Sequence, residues 1–394
     1  MISVDKIKQL AFETAFLLKE IREHLHQHPE LSFNEVETAK YISQWLEKWG
    51  IEHKNNIGGN GIVAWIKGRE KGKNIAFRAD IDALPIDEKN EVPYGSVNKG
   101  IMHACGHDLH TASLLGALYL LQSLRNEFNG TIWGIFQPAE EKLPGGAKAM
   151  LSDAFFNELY FDAVIAQHVF PDLPAGEVGI RAGQYMASTD ELYITIKGRG
   201  GHAATPHQIT DTVLIASHII VSLQQIVSRK ALPTIPTVLS FGKLIANGAT
   251  NIIPNEVYME GTFRTFDENW RKQALQLIEK ITKETAQTFG AEAIVHIKNG
   301  YPALINNDVL ANKILLLAKT YLGDENVKWL DMRMTAEDFA YFAQQYPAAM
   351  FRLGTGGTNT TSFPLHSPQF NINEDVYKFS HGLLVWMAIQ LLND

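Results

Sequence analysis

The densest group of reactive side chains in the sequence is MHACGHDLH, from Met102 to His110. It holds one thiol, three imidazoles and one carboxylate. Cys105 and His107 stand two positions apart around a glycine, and in a loop this spacing lets both side chains converge on one ion. Thiolate and neutral imidazole are ligands for borderline-soft divalent metals, and the positive end of a following helix favours the thiolate. The stretch indicates a metal site, with a helix start that carries incidental histidines as the alternative.

Three other motifs carry groups that could complete a metal site. Glu140 and Glu141 are adjacent in QPAEE, and adjacent carboxylates repel each other unless a cation or a proton lies between them. His168 ends an apolar run, and His366 lies in the proline-flanked loop PLHSP. Each motif has an ordinary alternative: a surface acid pair, a buried structural histidine and a solvent-exposed histidine. Only the complete set predicts a metal site.

The elements predicted around these motifs alternate between helix and strand. Helices are predicted over residues 3–28, 35–49 and 111–124, and strands over residues 62–66, 74–78, 130–136 and 163–168. The segment KGREKGK is predicted to be the turn between the first two strands. This alternation is typical of an α/β layer with a largely parallel sheet.

The pattern changes in the middle of the chain. Strands are predicted over residues 191–197, 237–241, 257–263 and 293–298, and helices over residues 212–228 and 268–289. Their order, strand, helix, strand, strand, helix, strand, is typical of a ferredoxin-like sandwich. We therefore predict an inserted α+β domain at residues 185–297 within a discontinuous α/β catalytic domain of residues 1–184 and 298–394. The sheet of the catalytic domain is expected to be mixed, largely parallel and flanked by helices.

Composition excludes several classes of protein. The 394 residues carry a net charge of -8 and no basic block, which argues against nucleic acid or an anionic membrane as the partner. No apolar stretch approaches the roughly 20 residues of a membrane span. The first segment has acids throughout, unlike a secretion signal, so we expect a cytoplasmic protein. The single cysteine excludes an intramolecular disulfide.

The motifs, taken in order, resemble the M20 metallopeptidase and aminoacylase family, in its hippurate hydrolase and auxin-conjugate hydrolase branch. They are RADIDALP, MHACGHD, QPAEE, AQHV, GGHAATPH, TNIIP, EGTFR, AEDF and LHSP. The resemblance extends from IREHLHQHPELS to LHSPQF, nearly the whole chain. It implies hydrolysis of the amide bond of an N-acyl-L-amino acid, with an acetyl, benzoyl or similar acyl group.

The resemblance also implies two divalent metal ions about 3.5 Å apart. Zn²⁺ or Mn²⁺ is expected, with Co²⁺ or Ni²⁺ as alternatives. The implied ligands are Cys105, His107, Glu141, His168 and His366. Cys105 would take the bridging position that an aspartate holds in other branches. Asp80 stands where those branches have a histidine, a departure that accompanies the move of metal ligation to Cys105 and His107.

The remaining roles implied by the resemblance concern catalysis and substrate. Glu140 would be the general base and Asp82 would orient a ligand or the base. His202 would stabilise the oxyanion in the partner subunit's site, which implies a homodimer, with a tetramer as the alternative. Asn251 and Arg264 would hold the substrate carboxylate or carbonyl. Gly354 would present its backbone to the substrate.

Several other reactive residues are not expected to be ligands. They are His24, His26 and His28 at a helix end, His103 and His110 near the cysteine, Glu337 and Asp338 in TAEDF, and His207.

Two other functions compete with a metal hydrolase. One is a cysteine hydrolase with Cys105 as nucleophile, which would need no metal. The other is a metal-retaining binding protein without catalysis. The presence of Glu140 and of every implied ligand counts against the second.

Overall fold

The computed structural model describes residues 2–357 and 361–393. These residues form two compact units. The first unit comprises residues up to 183, residues 305–331 and residues from 338 onwards, and the second comprises residues 184–304 and 332–337. The second unit thus reaches further along the chain than the predicted insertion, and it includes a short segment that no sequence pattern indicated.

Within the described residues, the α-helices are Val4–Gln27 (α1), Val36–Lys48 (α2), His107–Ser123 (α3), Gly146–Leu151 (α4), Thr212–Gln225 (α5), Glu268–Thr288 (α6), Asp308–Leu322 (α7), Ala340–Gln345 (α8) and Ser380–Leu392 (α9).

The strands are Glu52–Ile57 (β1), Gly61–Lys67 (β2), Asn74–Asp80 (β3), Thr131–Gln137 (β4), Ala163–Pro174 (β5), Val178–Ile180 (β6), Gly183–Met186 (β7), Asp190–Lys197 (β8), Gly201–His202 (β9), Thr237–Ile245 (β10), Ile252–Ile253 (β11), Glu256–Thr265 (β12), Glu292–Asn299 (β13), Leu304–Asn306 (β14), Val327–Trp329 (β15) and Ala348–Gly356 (β16).

The first unit is built on an eight-stranded sheet in the order β1-β2-β4-β3-β5-β16-β6-β15. The pairs β4-β3, β3-β5, β5-β16 and β6-β15 are parallel, which confirms the predicted mixed, largely parallel sheet. KGREKGK connects β2 to β3 as predicted, but the two strands are not neighbours in the sheet. β4 lies between these two strands, antiparallel to β2 and parallel to β3, so KGREKGK connects strands that do not pair with each other.

The core of the first unit explains why its elements form. α3 and α9 are buried along almost their whole length, and both are apolar on most sides. The central strands β4 and β5 are near-continuous apolar runs, as expected for parallel strands covered on both faces. The carboxyl ends of β3 and β4 carry Asp80 and Gln137, and Gln137 is the first residue of QPAEE. Ligands bind outside the carboxyl ends of the strands in open α/β sheets.

The second unit is an antiparallel four-stranded sheet in the order β10-β12-β8-β13. Buried and partly exposed residues alternate along β8, so one face of the sheet packs into the core. That core includes apolar residues of α5 and α6. The chain order β8, α5, β10, β12, α6, β13 is that of a ferredoxin-like sandwich. β9 and β11 form a separate two-stranded ribbon.

Among the described residues, one helix meets the length and composition of a membrane span. It covers Thr212–Lys230 and is partly buried. A core helix of a globular domain meets the same criteria, so this helix alone does not indicate a membrane protein.

Candidate metal centre and active site

The start of α3 positions two of the predicted ligands. Gly106 precedes the helix with a φ of 77°, and it separates Cys105 from His107. A Cβ at Gly106 would lie 2.6 Å from a methyl carbon of Val169. The left-handed turn and the close approach both require glycine. This glycine therefore lets the chain turn from the thiol into the first turn of the helix.

The structure brings the predicted ligands together from four segments of the first unit. The Sγ of Cys105 lies 3.6 Å from Nε2 of His168. The Nε2 of His366 lies 3.2 Å from Oε1 of Glu141. The donor atoms of Cys105, His107 and His168 all lie within 4.8 Å of one another. The donor atoms of Cys105, Glu141 and His366 also lie within 4.8 Å of one another. So do those of His107, Glu140 and Glu141.

The two buried histidines are oriented as metal ligands would be. The Nδ1 of His168 donates to the carbonyl of Val169 at 2.8 Å, which leaves the lone pair on Nε2. The Nδ1 of His107 donates to Asp82, 2.9 Å from the carbonyl oxygen and 3.2 Å from Oδ1. Among the described residues, the Nε2 of His107 is buried without a hydrogen-bond partner. A histidine that binds a metal through one ring nitrogen usually donates the N–H of the other to a carbonyl or carboxylate, as both Nδ1 atoms do here.

Asp82 links a ligand to the loop that carries the two glutamates. Its Oδ2 accepts from the hydroxyl of Ser32 at 2.6 Å and from the backbone N–H of Glu141 at 3.0 Å. Burial raises the pKa of this carboxyl, but the bonds to His107, Ser32 and Glu141 outweigh burial and lower it. Asp82 therefore stays ionised and holds both His107 and the backbone of Glu141.

The sequence did not reveal the network around Asp80. This buried carboxylate pairs with Nη1 of Arg78 at 2.6 Å and with Nδ1 of His110 at 2.5 Å. The Nε2 of His110 accepts from the backbone N–H of Val169 at 2.9 Å, so both nitrogens of this ring are already bonded within the protein. Arg78 also donates to Asp338 at 2.9 Å. The only sequence signal was a charge alternation, RAD, at the end of an apolar strand.

The second unit carries three further predicted site residues, His202, Asn251 and Arg264. His202 on β9 is opposite Ile252 on β11, and Asn251 immediately precedes β11. The backbone N–H of Ala204 donates to Nδ1 of His202 at 3.0 Å, so a neutral ring carries its proton on Nε2. His202 and Asn251 are exposed. Arg264 is partly buried and donates to the carbonyl of Met334 at 3.0 Å.

Comparison with known proteins gives the family. A model described as peptidase family M20/M25/M40 matches residues 76–388, well over half of the chain. The chain belongs to the M20 peptidase family. This match confirms the family resemblance, and the relatives and the solved structure that follow confirm the α/β fold and the prediction of a metal-dependent amidohydrolase.

Two relatives have names that describe enzymes acting on acylated amino acids. The chain is 40% identical over 375 residues to an N-acetyl-L-cysteine deacetylase of Bacillus subtilis (strain 168), covering 95% of this chain and 88% of the relative. It is 40% identical over 304 residues to an N-acyl-L-amino acid amidohydrolase of Geobacillus stearothermophilus, covering 77% and 82%. A solved structure from Bacillus subtilis, described as a dinuclear metal-binding peptidase of the M20 family, is 35% identical with a TM-score of 0.81, covering 97% of this chain and 99% of that chain.

The electrostatics of this M20 site fit a bound cation. Burial disfavours protonation of His107, but Asp80, Asp82 and Glu141 together outweigh burial and raise its pKa to about 10. Burial, Glu141 and Glu140 raise the pKa of the Cys105 thiol well above its usual range. The cluster therefore has an excess of negative charge that a divalent cation would balance. A thiol held neutral by its neighbours is poorly suited to be a metal-free nucleophile, which counts against the cysteine hydrolase.

The structure accounts for Gly354 without a substrate. Gly354 is buried in β16, and its N–H donates to the carbonyl of Glu177 at 2.9 Å. A Cβ at this position would lie 2.1 Å from the carbonyl oxygen of Pro174. Because the N–H is already bonded and the approach is tight, packing within the first unit requires this glycine, and the contact of its backbone with a substrate stays a prediction.

Proposed function

We propose that this M20 enzyme hydrolyses the amide bond of N-acyl-L-amino acids at a two-metal centre. The proposed ligands are Cys105, His107, Glu141, His168 and His366. The observation that carries the proposal is the convergence of one donor atom each from His107, His168 and Cys105 within 4.8 Å, with the Nδ1 atoms of both histidines bonded to the protein. The substrate class rests on the names of the two curated relatives.

Different residues of the chain would move the proton and orient the metal ligands. When bound, two divalent cations supply Lewis acidity toward a water molecule and the amide carbonyl. Glu140 accepts the proton of the attacking water and returns it to the leaving amine. Glu140 is 6% exposed, in a position where little bulk water competes for that proton. Asp82 keeps His107 in the tautomer that leaves Nε2 free.

His202 is the proposed donor to the developing oxyanion. Its Nδ1 accepts a backbone N–H, so Nε2–H is the group available to a substrate oxygen. Asn251, which immediately precedes β11 of the same ribbon, and the partly buried Arg264 are proposed to hold the carbonyl or carboxylate of the substrate.

A homodimer is the proposed assembly, formed through the second unit, with a tetramer of such dimers as the alternative. α5 exposes Leu214 and Val221, which are 55% and 71% accessible. β10 is an edge strand of its sheet, and it exposes Leu244 and Ile245. An apolar helix face and an unpaired strand edge on one unit are suited to pairing with a second copy. Sedimentation of the enzyme as a 44.0 kDa monomer would contradict this assembly.

The ligand set also bears on metal identity and compartment. Thiolate and imidazole favour Zn²⁺, while the carboxylates admit Mn²⁺, Co²⁺ or Ni²⁺. We place the enzyme in the cytoplasm, where the ligand thiol of Cys105 stays reduced.

A metal reconstitution experiment tests the proposal. The protein is stripped with a chelator, reloaded with each of the four metals, and assayed against N-acetyl and N-benzoyl amino acids. Turnover should vanish on stripping and return with at least one metal. If the stripped protein kept its activity, the cysteine hydrolase would be supported. If a protein carrying two ions hydrolysed none of these amides, the proposed reaction would be refuted.

A further inference from the structure

A second group of charged side chains is buried in the first unit beside the metal ligands. It consists of Arg22 and His26 on α1 and Asp108 on α3, and each of these residues has 0% exposure. A buried guanidinium is costly unless it is paired. The alternating histidines near Pro29 are thereby explained in part, since His26 faces this group and not a metal.

Asp108 connects this group to a metal ligand. The Nε of Arg22 lies 2.8 Å from Oδ2 of Asp108, and Nδ1 of His26 lies 2.7 Å from the same oxygen. The other carboxylate oxygen accepts from the backbone N–H of Leu109 at 2.8 Å. Asp108 follows His107 directly in the first turn of α3. Arg22 therefore fixes the turn of helix from which His107 projects.

Arg22 also reaches the segment that carries His366. Its Nη2 donates to Oδ1 of Asn371 at 3.3 Å. The same amide oxygen accepts from the backbone N–H of Ile372 at 2.9 Å, so Asn371 shapes the local chain. His366 itself is an exposed residue with a strained φ of 64°. An exposed ligand on an irregular loop depends on its anchors for a defined position.

The stability of the fold alone does not explain the buried group of Arg22, His26 and Asp108. Buried ion pairs can often be replaced by apolar side chains without loss of stability, because desolvation offsets the attraction. Arg22, however, touches two segments that each hold a proposed metal ligand. One guanidinium can therefore set the separation of those ligands, which an apolar side chain cannot do.

We propose that Arg22 is a positioning residue of the metal centre. It acts through Asp108 on His107 and through Asn371 on His366. This inference rests on the proposed two-metal function. Outer residues that orient ligands typically contribute about 10- to 100-fold to metal affinity, and we expect an effect of that size here.

The test compares Arg22→Met with a matched control. In the second unit, Arg271 makes a similar buried pair with Asp190, with Nε–Oδ2 at 2.8 Å and Nη2–Oδ1 at 2.7 Å. Both Arg22→Met and Arg271→Met remove a buried guanidinium from an aspartate. Only the first removes contacts to ligand-bearing segments, so the control separates general destabilisation from a change at the metal centre.

Metal-free wild type and both variants are titrated with Co²⁺ against a chromophoric chelator, and the absorption of the cobalt–thiolate chromophore is recorded. Arg22→Met should bind about 10- to 100-fold more weakly with an altered spectrum, and Arg271→Met should match wild type. Wild-type affinity and spectrum in Arg22→Met, or equal weakening in both variants, would overturn the proposal.

A milder variant covers the case in which Arg22→Met does not fold. Asn371→Ala leaves the pair between Arg22 and Asp108 intact. It removes the hydrogen bond from Arg22 to the segment that carries His366. Weaker Co²⁺ binding in this variant supports the proposal, and wild-type binding overturns it. Wild type that takes up fewer than two ions would refute the two-metal function. Two ions in wild type with unchanged variants would refute the role of Arg22 alone.

Discussion

The metal-ligand cluster of the first unit and the ribbon that carries His202 in the second unit are stabilised differently. His107 and Cys105 are 1% and 6% exposed, and the imidazole of His107 is held by a side-chain carboxylate. His202 is exposed, and its ring is held by one backbone N–H on a ribbon of two short strands. The first region is buried and charged; the second is open to water and supported mainly by backbone hydrogen bonds.

This difference has a physical reason. Ligands for a cation must be deprotonated and correctly spaced before the ion binds, which favours burial and many bonds. A hydrogen bond to an oxyanion becomes strong only when water is excluded around a bound substrate. Exposure of His202 in the free enzyme therefore does not weaken that hydrogen bond in the transition state. Substitutions in the two regions should therefore separate metal content from turnover.

The largest effect is expected for Glu140→Gln. Glutamine keeps the shape but cannot accept the proton, so kcat should fall by about 10²- to 10⁴-fold. Metal content, measured by elemental analysis, should remain that of wild type, because Glu140 is not a proposed ligand. Glu47→Gln, on the exposed face of α2, is the control and should be active. Near-normal kcat in Glu140→Gln would remove the general base from the mechanism.

His202→Ala should have the next largest effect. Loss of one oxyanion donor typically lowers kcat by about 10²- to 10³-fold, and the metal content should again be unchanged. If His202 serves the partner subunit, mixing this variant with Glu140→Gln restores one intact site in each mixed dimer. Random mixing would then recover about a quarter of wild-type activity. No recovery after confirmed subunit exchange would show that His202 acts within its own subunit or not at all.

The smallest effect is expected away from both regions, at the buried His381 of α9. Burial lowers its pKa from 6.5 to about 3. Between these values the unfolded chain binds one more proton than the folded chain, so this contribution to stability is complete above pH 6.5 and is lost as the pH falls. The slope should approach about 1.4 kcal/mol per pH unit. Urea unfolding of His381→Gln should show a shallower pH dependence from pH 6.5 downward. A slope equal to that of wild type would contradict the assignment.

Local patterns predicted much of the framework that carries the site. The helices and strands around MHACGHD and QPAEE were predicted within a few residues, because their apolar periodicity is strong. β16, a fully buried strand, was not predicted, and neither was the interposition of β4 between β2 and β3. Strand order depends on contacts between distant segments, and the periodicity within one segment gives no information about those contacts.

The sequence by itself determined which donor atoms are available and in what order, and this was sufficient to predict the family and a metal-dependent amide hydrolase. Tertiary structure alone decided that Cys105, His107 and His168 converge, which nitrogen of each ring is left free, and that Asp80 and Arg22 lie behind them. The reason is that side-chain chemistry belongs to each residue alone. Distance, burial and hydrogen-bond direction exist only once the sheet has packed against its helices.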